Sequence, residues 1–462
     1  MVMTVRAVEL PWRDPDDVLW SWRDEPWLAC LDSGGEVGPR ARWTILCRRP
    51  IHVVDWRGGV CRLDGVPVAG QGAGEDIDPL AVLRGLLPPR IPAGDWPFAS
   101  GLIGFAGYAV GQRLEGVATR HAPDPACPDL AAGYYDHALL FDRMARRVHL
   151  ASIRAEPGPL FARTMAEWQA IATAPPPAPL PHLRFVPDQT PDHYVAAVAR
   201  AVERIAAGDI FQVNITGRMR AVRPGGLADI DIYRALRRAS PAPFGAWLAC
   251  GPGFGLLSAS PERFVHLGAD GTLRTRPIKG TRPRGATADE DAALRAELAA
   301  DDKERAENVM IVDLMRNDLG RVARIGSVHV PELLAVERFA HVHHLVSEVR
   351  AVLAPGRDAF DLLRATLPPG SVTGAPKQQA MRIIDTLEAS ARHAYCGAVF
   401  RIGTDGAMDS SVIIRALATT PHGIEAAAGG GITILSDPDR EYAEMCLKIA
   451  PLLSLFDGTA GS

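Results

Sequence analysis

Two stretches of this chain carry glutamates where a helix would bury apolar side chains. In "DDKERAENVMIVDLMRND" (301–318), Glu304, Glu307, Ile311 and Leu314 fall within about 80° of one another at about 100° per residue, so two carboxylates share a stripe with core residues. In "REYAEMCLKIA" (440–450), Glu441 and Glu444 stand three apart on a face with Met445 and Lys448. One such pair is ordinary: an exposed helix end lets Lys303 or Arg305 answer the acids, and Glu444 with Lys448 is a favourable pair at i,i+4. Two pairs brought together would repel, and a divalent cation of the Mg²⁺ type, which takes carboxylate oxygens, would resolve the conflict.

A third element is one lysine in "TRPIKGTRPRG" (275–285). Pro277 fixes its own φ and biases Arg276 toward extended backbone, while Gly280 lets the chain pass close to a neighbour. Lys279 is either a solvated surface charge, the commoner fate of a lysine, or a desolvated amine able to act as nucleophile or base. Three consecutive glycines, Gly429 to Gly431, either make a tight turn or present bare N–H groups to an anion. "PGSVTGAPK" lacks the ending and spacing of a nucleotide phosphate loop. Tyr395 and Arg415 lie on strand-like runs, where an arginine calls for a carboxylate partner.

The elements that must position these groups follow from punctuation. "ATAPPPAPLPHL" (172–183), with five prolines, excludes a regular helix or central strand and reads as a linker, dividing the chain into residues 1–175, a Pro-rich 176–189 and a catalytic region 190–455. Before it, "WTILC", "HVVDW" and "RRVHLASI" read as antiparallel strands. After it, Thr190 and Pro191 open a helix that Gly208 ends, and "IFQVNITGRMRAV" reads as a strand. "FGAWLAC", "FGLLSAS" and "ERFVHL" are further strands; 289–300, 303–317, 377–390 and 440–450 are helical. Strands cluster rather than alternate with helices, which predicts an α+β architecture with large antiparallel sheets.

Bulk properties narrow the functions. The 462 residues, 47% of them hydrophobic, supply a large core; the net charge of −4 without a basic run argues against nucleic acid or a membrane surface as partner. Seven scattered cysteines without a CxxC pair fit a reducing compartment, and no apolar run suits a signal peptide or a span, so a soluble cytoplasmic protein is expected.

Taken in order, "GDIFQVNIT", "SASPERF", "RPIKGTRPRG", "AENVMIVDLMRNDLGR", "HVHHLVSEV", "GSVTGAPK", "YCGAVF", "IIRAL", "GGGIT" and "DREYAEMCLKIA" resemble the chorismate-utilising enzymes, the family of anthranilate, isochorismate and salicylate synthases. The resemblance runs from about residue 190 to 453 and is weaker before it. It implies two large packed antiparallel sheets flanked by helices, with the site between them. Within the family, anthranilate synthases carry alanine where Lys279 stands, whereas aminodeoxychorismate synthase component I carries lysine. The water-using members place a base lysine where this chain has Gln212.

The resemblance therefore implies conversion of chorismate and ammonia to 4-amino-4-deoxychorismate, for 4-aminobenzoate and folate synthesis. It implies Mg²⁺ on Glu307 and Glu444, with Glu304 and Glu441 behind them on metal-bound water. Tyr395 and Arg415 would clamp the enolpyruvyl carboxylate, Gly431 and Lys448 would line the metal-side carboxylate, and Thr373 and His344 would complete the pocket. Lys279 would attack ring C2 as the C4 hydroxyl leaves, with Glu262 as proton donor. No cysteine sits in a "GxCxG" turn, so a separate glutamine amidotransferase subunit is implied. Anthranilate synthase component I, or a non-catalytic member binding chorismate or a partner, are the alternatives.

Overall fold

The computed structural model describes residues 4–38, 41–68, 77–251, 253–338 and 342–458. Among them lie two twelve-stranded antiparallel sheets and eleven α-helices. The first sheet runs from Arg6–Leu10 at one edge through Arg147–Ser152, His137–Asp142, Trp43–Cys47 and Ala29–Asp32. It continues through Phe244–Ala249, Gly255–Ser260, Ala416–Thr419, Gly423–Ile432 and Gln212–Val222 to Val186–Pro187. The second starts at Ile278–Pro283 and passes through Val342–Val352, Thr272–Thr275, Arg263–Leu267, Met408–Val412 and Ala398–Gly403. Gly101–Ala106, Leu130–Tyr135, His52–Arg57 and Val60–Leu63 then lead to Val66–Pro67. Both sheets draw strands from either side of the proline-rich stretch. One apolar cluster joins them, containing Ile215 and Trp247 of the first sheet and Val265 and Phe400 of the second.

The local signals read from sequence have physical counterparts. Thr190 caps the Pro191–Ala206 helix by accepting from the His193 N–H at 3.2 Å, with proline in the first turn, where its missing N–H costs nothing. Residues 171–185 form neither helix nor strand, yet Leu180 is buried and the Leu183 N–H donates to Phe456. The proline stretch is thus packed against the body.

Each glutamate pair sits near the start of a helix. Asp301 caps Asp302–Gly320 by accepting from the Glu304 N–H at 3.1 Å, and Asp437 caps Pro438–Leu453 by accepting from Arg440 at 3.0 Å. Glu304 and Glu441, in the first turns, therefore lie where the backbone dipole favours negative charge, whereas Glu307 and Glu444 stand one turn further in. Among the described residues no helix is long and apolar enough to cross a membrane, and all seven cysteines are free.

Candidate active site

Lys279 lies on the Ile278–Pro283 strand opposite Leu345, and the register slips before Thr281 meets His344. Gly280 makes the slip possible. Its φ is +74°, and a Cβ there would sit 2.8 Å from Leu298 Cδ1 and 3.3 Å from Glu304 Cβ. A bulge residue in the left-handed region, with helical side chains against its Cα, has to be glycine. The helix is fastened to the neighbouring strand by Asn308, which donates to the Leu345 carbonyl at 3.2 Å and accepts from Ser347 Oγ at 2.5 Å. These contacts set Lys279 Nζ 3.7 Å from Glu307 Oε2.

The first sheet supplies the opposite wall. The three glycines form neither a tight turn nor an open anion nest: Gly429, Gly430 and Gly431 pair in register with Thr216, Ile215 and Asn214. Their value is close approach. A Cβ on Gly430 would come within 2.9 Å of Glu441 Oε2, and one on Gly431 within 2.4 Å of Gln212 Nε2 and 3.7 Å of Lys279 Nζ. Gln212 is 2% exposed and its Oε1 has no partner.

The carboxylates share their environment with lysines. Lys303 lies 3.8 Å from Glu441, on the other acidic helix rather than its own, and Lys448 Nζ is 2.6 Å from Glu444 and donates to the Gly429 carbonyl at 3.1 Å. Burial pushes Glu304 up, and Glu307 and Asp301 add to it; burial also pushes Glu441 up despite the hydroxyl bond from Ser436 at 2.6 Å. At Glu444 burial is outweighed by Lys448, with Lys303 and Lys279 helping, and the carboxyl is held low. Four glutamates and three lysines leave one net negative charge, with Glu304 and Glu441 bearing the strain. That donor set fits a hard divalent cation shared with an anionic substrate. Among the described residues no three of the four glutamates have oxygens within 4.8 Å of one another, which suits an ion held directly by two carboxylates and otherwise by water and substrate.

Glu262 and Arg415 occupy the places where the chain changes sheets. Glu262 separates Gly255–Ser260 of the first sheet from Arg263–Leu267 of the second, and Arg415 separates Met408–Val412 of the second from Ala416–Thr419 of the first. The crossings are bonded together: Val412 N–H donates to the Glu262 carbonyl at 3.1 Å, and Ala259 N–H to that of Arg415 at 3.0 Å. Burial pushes the Glu262 carboxyl up against a hydrogen bond from Ser371 and the Lys279 charge, which suits a proton donor. Arg415 has φ +53°, a strained value for a residue with a side chain, and Nη1 bonds the Lys448 carbonyl at 2.5 Å. Burial lowers Arg415 while Tyr395 opposes the shift, and burial carries the Tyr395 hydroxyl well above its ordinary value.

His344 lies on the strand beside that of Lys279, its Nδ1 2.9 Å from Oγ1 of the exposed Thr281, and burial holds it below its ordinary value. Thr373 is fully buried, its hydroxyl donating to Pro369 at 2.8 Å, so only its lone pairs remain to meet a ligand.

Residues 78–454 match the family model described as chorismate binding enzyme. The chain belongs to that family. Aminodeoxychorismate synthase component 1 of Klebsiella aerogenes is 39% identical over 98% of this chain and 99% of its own length. Anthranilate synthase component 1 of Streptomyces coelicolor is also 39% identical, over 86% of this chain and 81% of its own. Among solved structures, anthranilate synthase component I from Streptococcus pneumoniae superposes with a TM-score of 0.78 at 31% identity, covering 91% of this chain and 93% of that one. The two-sheet α+β architecture is thus the chorismate-binding fold, and the family match starts well before residue 190.

For a chorismate-binding enzyme the sequence reading missed three helpers. Ser371 bonds Glu262, Lys303 bridges the two acidic helices, and Ser436 holds Glu441. Ser371 lay inside the "GSVTGAPK" stretch, where a hydroxyl among glycines was a usable signal. Lys303 gave none, because helical spacing pairs it with its own helix.

Proposed function

We propose that this chain aminates chorismate at C4, giving 4-amino-4-deoxychorismate, as a component I that takes ammonia from a separate glutaminase subunit. The observation that carries the reading is the position of Lys279: its amine stands 3.7 Å from Glu307, and its charge reaches the raised carboxyl of Glu262. The near full-length similarity to aminodeoxychorismate synthase component 1 supports it. A cytoplasmic setting suits seven free cysteines.

Glu307 and Glu444, backed by Glu304 and Glu441, would hold Mg²⁺, which when bound neutralises the carboxylates and grips the ring carboxylate of the substrate. Tyr395 and Arg415 orient the enolpyruvyl carboxylate, and Gly431 and Lys448 leave room for and attract the other; His344 and Thr373 close the pocket. Lys279, after giving its ammonium proton to solvent, forms a bond from Nζ to C2 while the ring double bonds shift and the C4–O bond breaks. Glu262 gives its proton to the departing hydroxyl, which leaves as water. Ammonia then bonds to C4, the double bonds shift back and the C2–N bond to Lys279 breaks. The proton gained with ammonia returns to Glu262, so the net change is ammonia in and water out.

The test is incubation of the purified chain with chorismate, Mg²⁺ and ammonium, with the product identified by mass and fluorescence. A 4-amino-4-deoxychorismate product supports the reading. Fluorescent anthranilate would move the chain to the anthranilate synthases, and no turnover would leave it a chorismate-binding partner protein.

A further inference from the structure

Away from the carboxylate site, one group of side chains combines donor types that hold transition-metal ions. Asp124, Cys127 and His393 each offer one ligand atom, and the three atoms lie within 4.8 Å of one another, the one such grouping among the described residues. We propose that Asp124, Cys127 and His393 form a binding site for a borderline-soft divalent cation of the Zn²⁺ type. Thiolate, imidazole and carboxylate on one ion is a donor set that Zn²⁺ accepts and Mg²⁺ does not.

The local structure delivers the ligands. Asp124 and Cys127 belong to one turn: Asp124 Oδ1 accepts from the Ala126 N–H at 2.9 Å, and the Cys127 N–H donates to the Asp124 carbonyl at 3.0 Å. The thiol stands 3.9 Å from Asp124 Oδ2. In a tetrahedral site with ordinary bond lengths sulfur and oxygen would lie about 3.5 Å apart, so that pair closes by tenths of an ångström, and the imidazole, within 4.8 Å of both, by about 1 Å at most beyond that. His393 comes from the turn before the Ala398–Gly403 strand. Its φ of +49° is in the left-handed region, and its carbonyl is fixed by the Tyr108 N–H at 2.9 Å. The buried imidazole has Nδ1 3.5 Å from Glu425 Oε1, and a carboxylate beside a ligating imidazole sets its orientation and basicity.

Two guanidiniums flank the far side of the site: Arg218 Nη1 is 3.4 Å from His393 Nδ1 and its Nε 3.2 Å from Glu425, and Arg220 Nε is 3.0 Å from the same carboxylate. A dication with one thiolate and one carboxylate is itself neutral, so binding adds no charge beside them. Burial, with Glu425 and Asp124 behind it, holds the Cys127 thiol up at about 12. Binding therefore breaks its S–H bond, forms a metal–sulfur bond and releases one proton to solvent. Water completes the coordination on the side where Asp124 meets solvent. The ion would tie the turn before the Leu130–Tyr135 strand to the turn that carries Tyr395 two residues after His393, bracing one wall of the chorismate site from behind.

The experiment uses the whole chain, stripped with a chelator and titrated with Co²⁺, then Zn²⁺. One equivalent of Co²⁺ should produce a thiolate-to-cobalt charge-transfer band that Zn²⁺ displaces and Mg²⁺ does not. The band should vanish in Cys127→Ser and in His393→Asn, asparagine being chosen because it tolerates the left-handed backbone, and persist in Glu444→Gln. Melting curves in chelator confirm that the variants fold. A wild-type chain that gives no thiolate band, or a band that survives Cys127→Ser, overturns the proposal without touching the chorismate reading.

Discussion

Replacing Gly431 with alanine separates stability from catalysis. Gly431 is a strand residue outside the left-handed region, so its backbone accepts alanine, and a Gly→Ala change at a compatible position stabilises by about 0.4–1 kcal/mol through the unfolded chain. The new Cβ would stand 2.4 Å from Gln212 Nε2 and 3.7 Å from Lys279 Nζ. The lysine contact is ordinary; the amide has to retreat by about 1 Å to regain van der Waals distance. Holding it off its preferred rotamer costs about 0.5–1.5 kcal/mol, which offsets the gain, so stability should change by less than about 1 kcal/mol. Activity should respond differently. The Cβ also takes up room that Gly431 leaves for a substrate carboxylate in the proposed site, and a substrate held about 1 Å out of place costs roughly 10²-fold, about 2.7 kcal/mol of barrier. Thermal melts and kcat/KM for chorismate with saturating ammonium make the comparison. A melt changed by little with kcat/KM reduced roughly a hundredfold is expected, and parental kcat/KM would refute the argument that Gly431 is bare to leave room for a substrate carboxylate.

Gly280→Ala should do the opposite: a Cβ at φ +74° and 2.8 Å from Leu298 adds about 1–2 kcal/mol of backbone strain to about 1–3 of overpacking, lowering the melting temperature as well as the rate. Lys279→Ala should lose at least about 10² in 4-amino-4-deoxychorismate formation and leak toward amination at C2, while chorismate binding measured by calorimetry persists; near-parental rate with the same product would make Lys279 an electrostatic residue. Glu441 is pushed above its ordinary 4.5 in the fold, so the stability its protonated form contributes is present below that value and lost as pH rises. Without divalent cations, Glu441→Gln should therefore melt higher than the parent at neutral pH, the gap closing toward pH 4.5, and added Mg²⁺ should raise the parent's melt more than the variant's. Finally, the single chain should use ammonium and fail with glutamine as nitrogen donor; glutamine-dependent turnover by the pure chain would remove the need for a partner.

Much of this was legible in the sequence because it depends on periodicity. Glutamates three apart on a helical stripe announce themselves at the pitch of the helix, and Thr190 followed by Pro191 marks a helix start by chemistry that acts within one turn. The glycine triplet misled because composition reveals bareness without its cause: the missing Cβ atoms serve neighbours on another strand and another helix, at Gln212 and Glu441. The partner of Lys303 was hidden for the same reason, since an ion pair between helices more than a hundred residues apart leaves no spacing to read.

The two sheet crossings carry this furthest. In sequence "SASPERFV" and "SSVIIRALA" look like strand interiors, and nothing local says that Glu262 and Arg415 sit where each strand leaves one sheet for the other. Strand interiors alternate their side chains between two faces, whereas a residue at a crossing is released from both ladders and can point into the space between the sheets. The crossings pair through Val412 with Glu262 and Ala259 with Arg415, so that space is fixed from both ends. Polar side chains such as Glu262 and Arg415 placed there do not disturb either hydrophobic face, and Arg415 takes a left-handed backbone at its crossing. The same geometry accounts for Lys279 beside a bulge: an amine turned toward Glu307 also has to leave the regular ladder, and Gly280 is the residue that lets it.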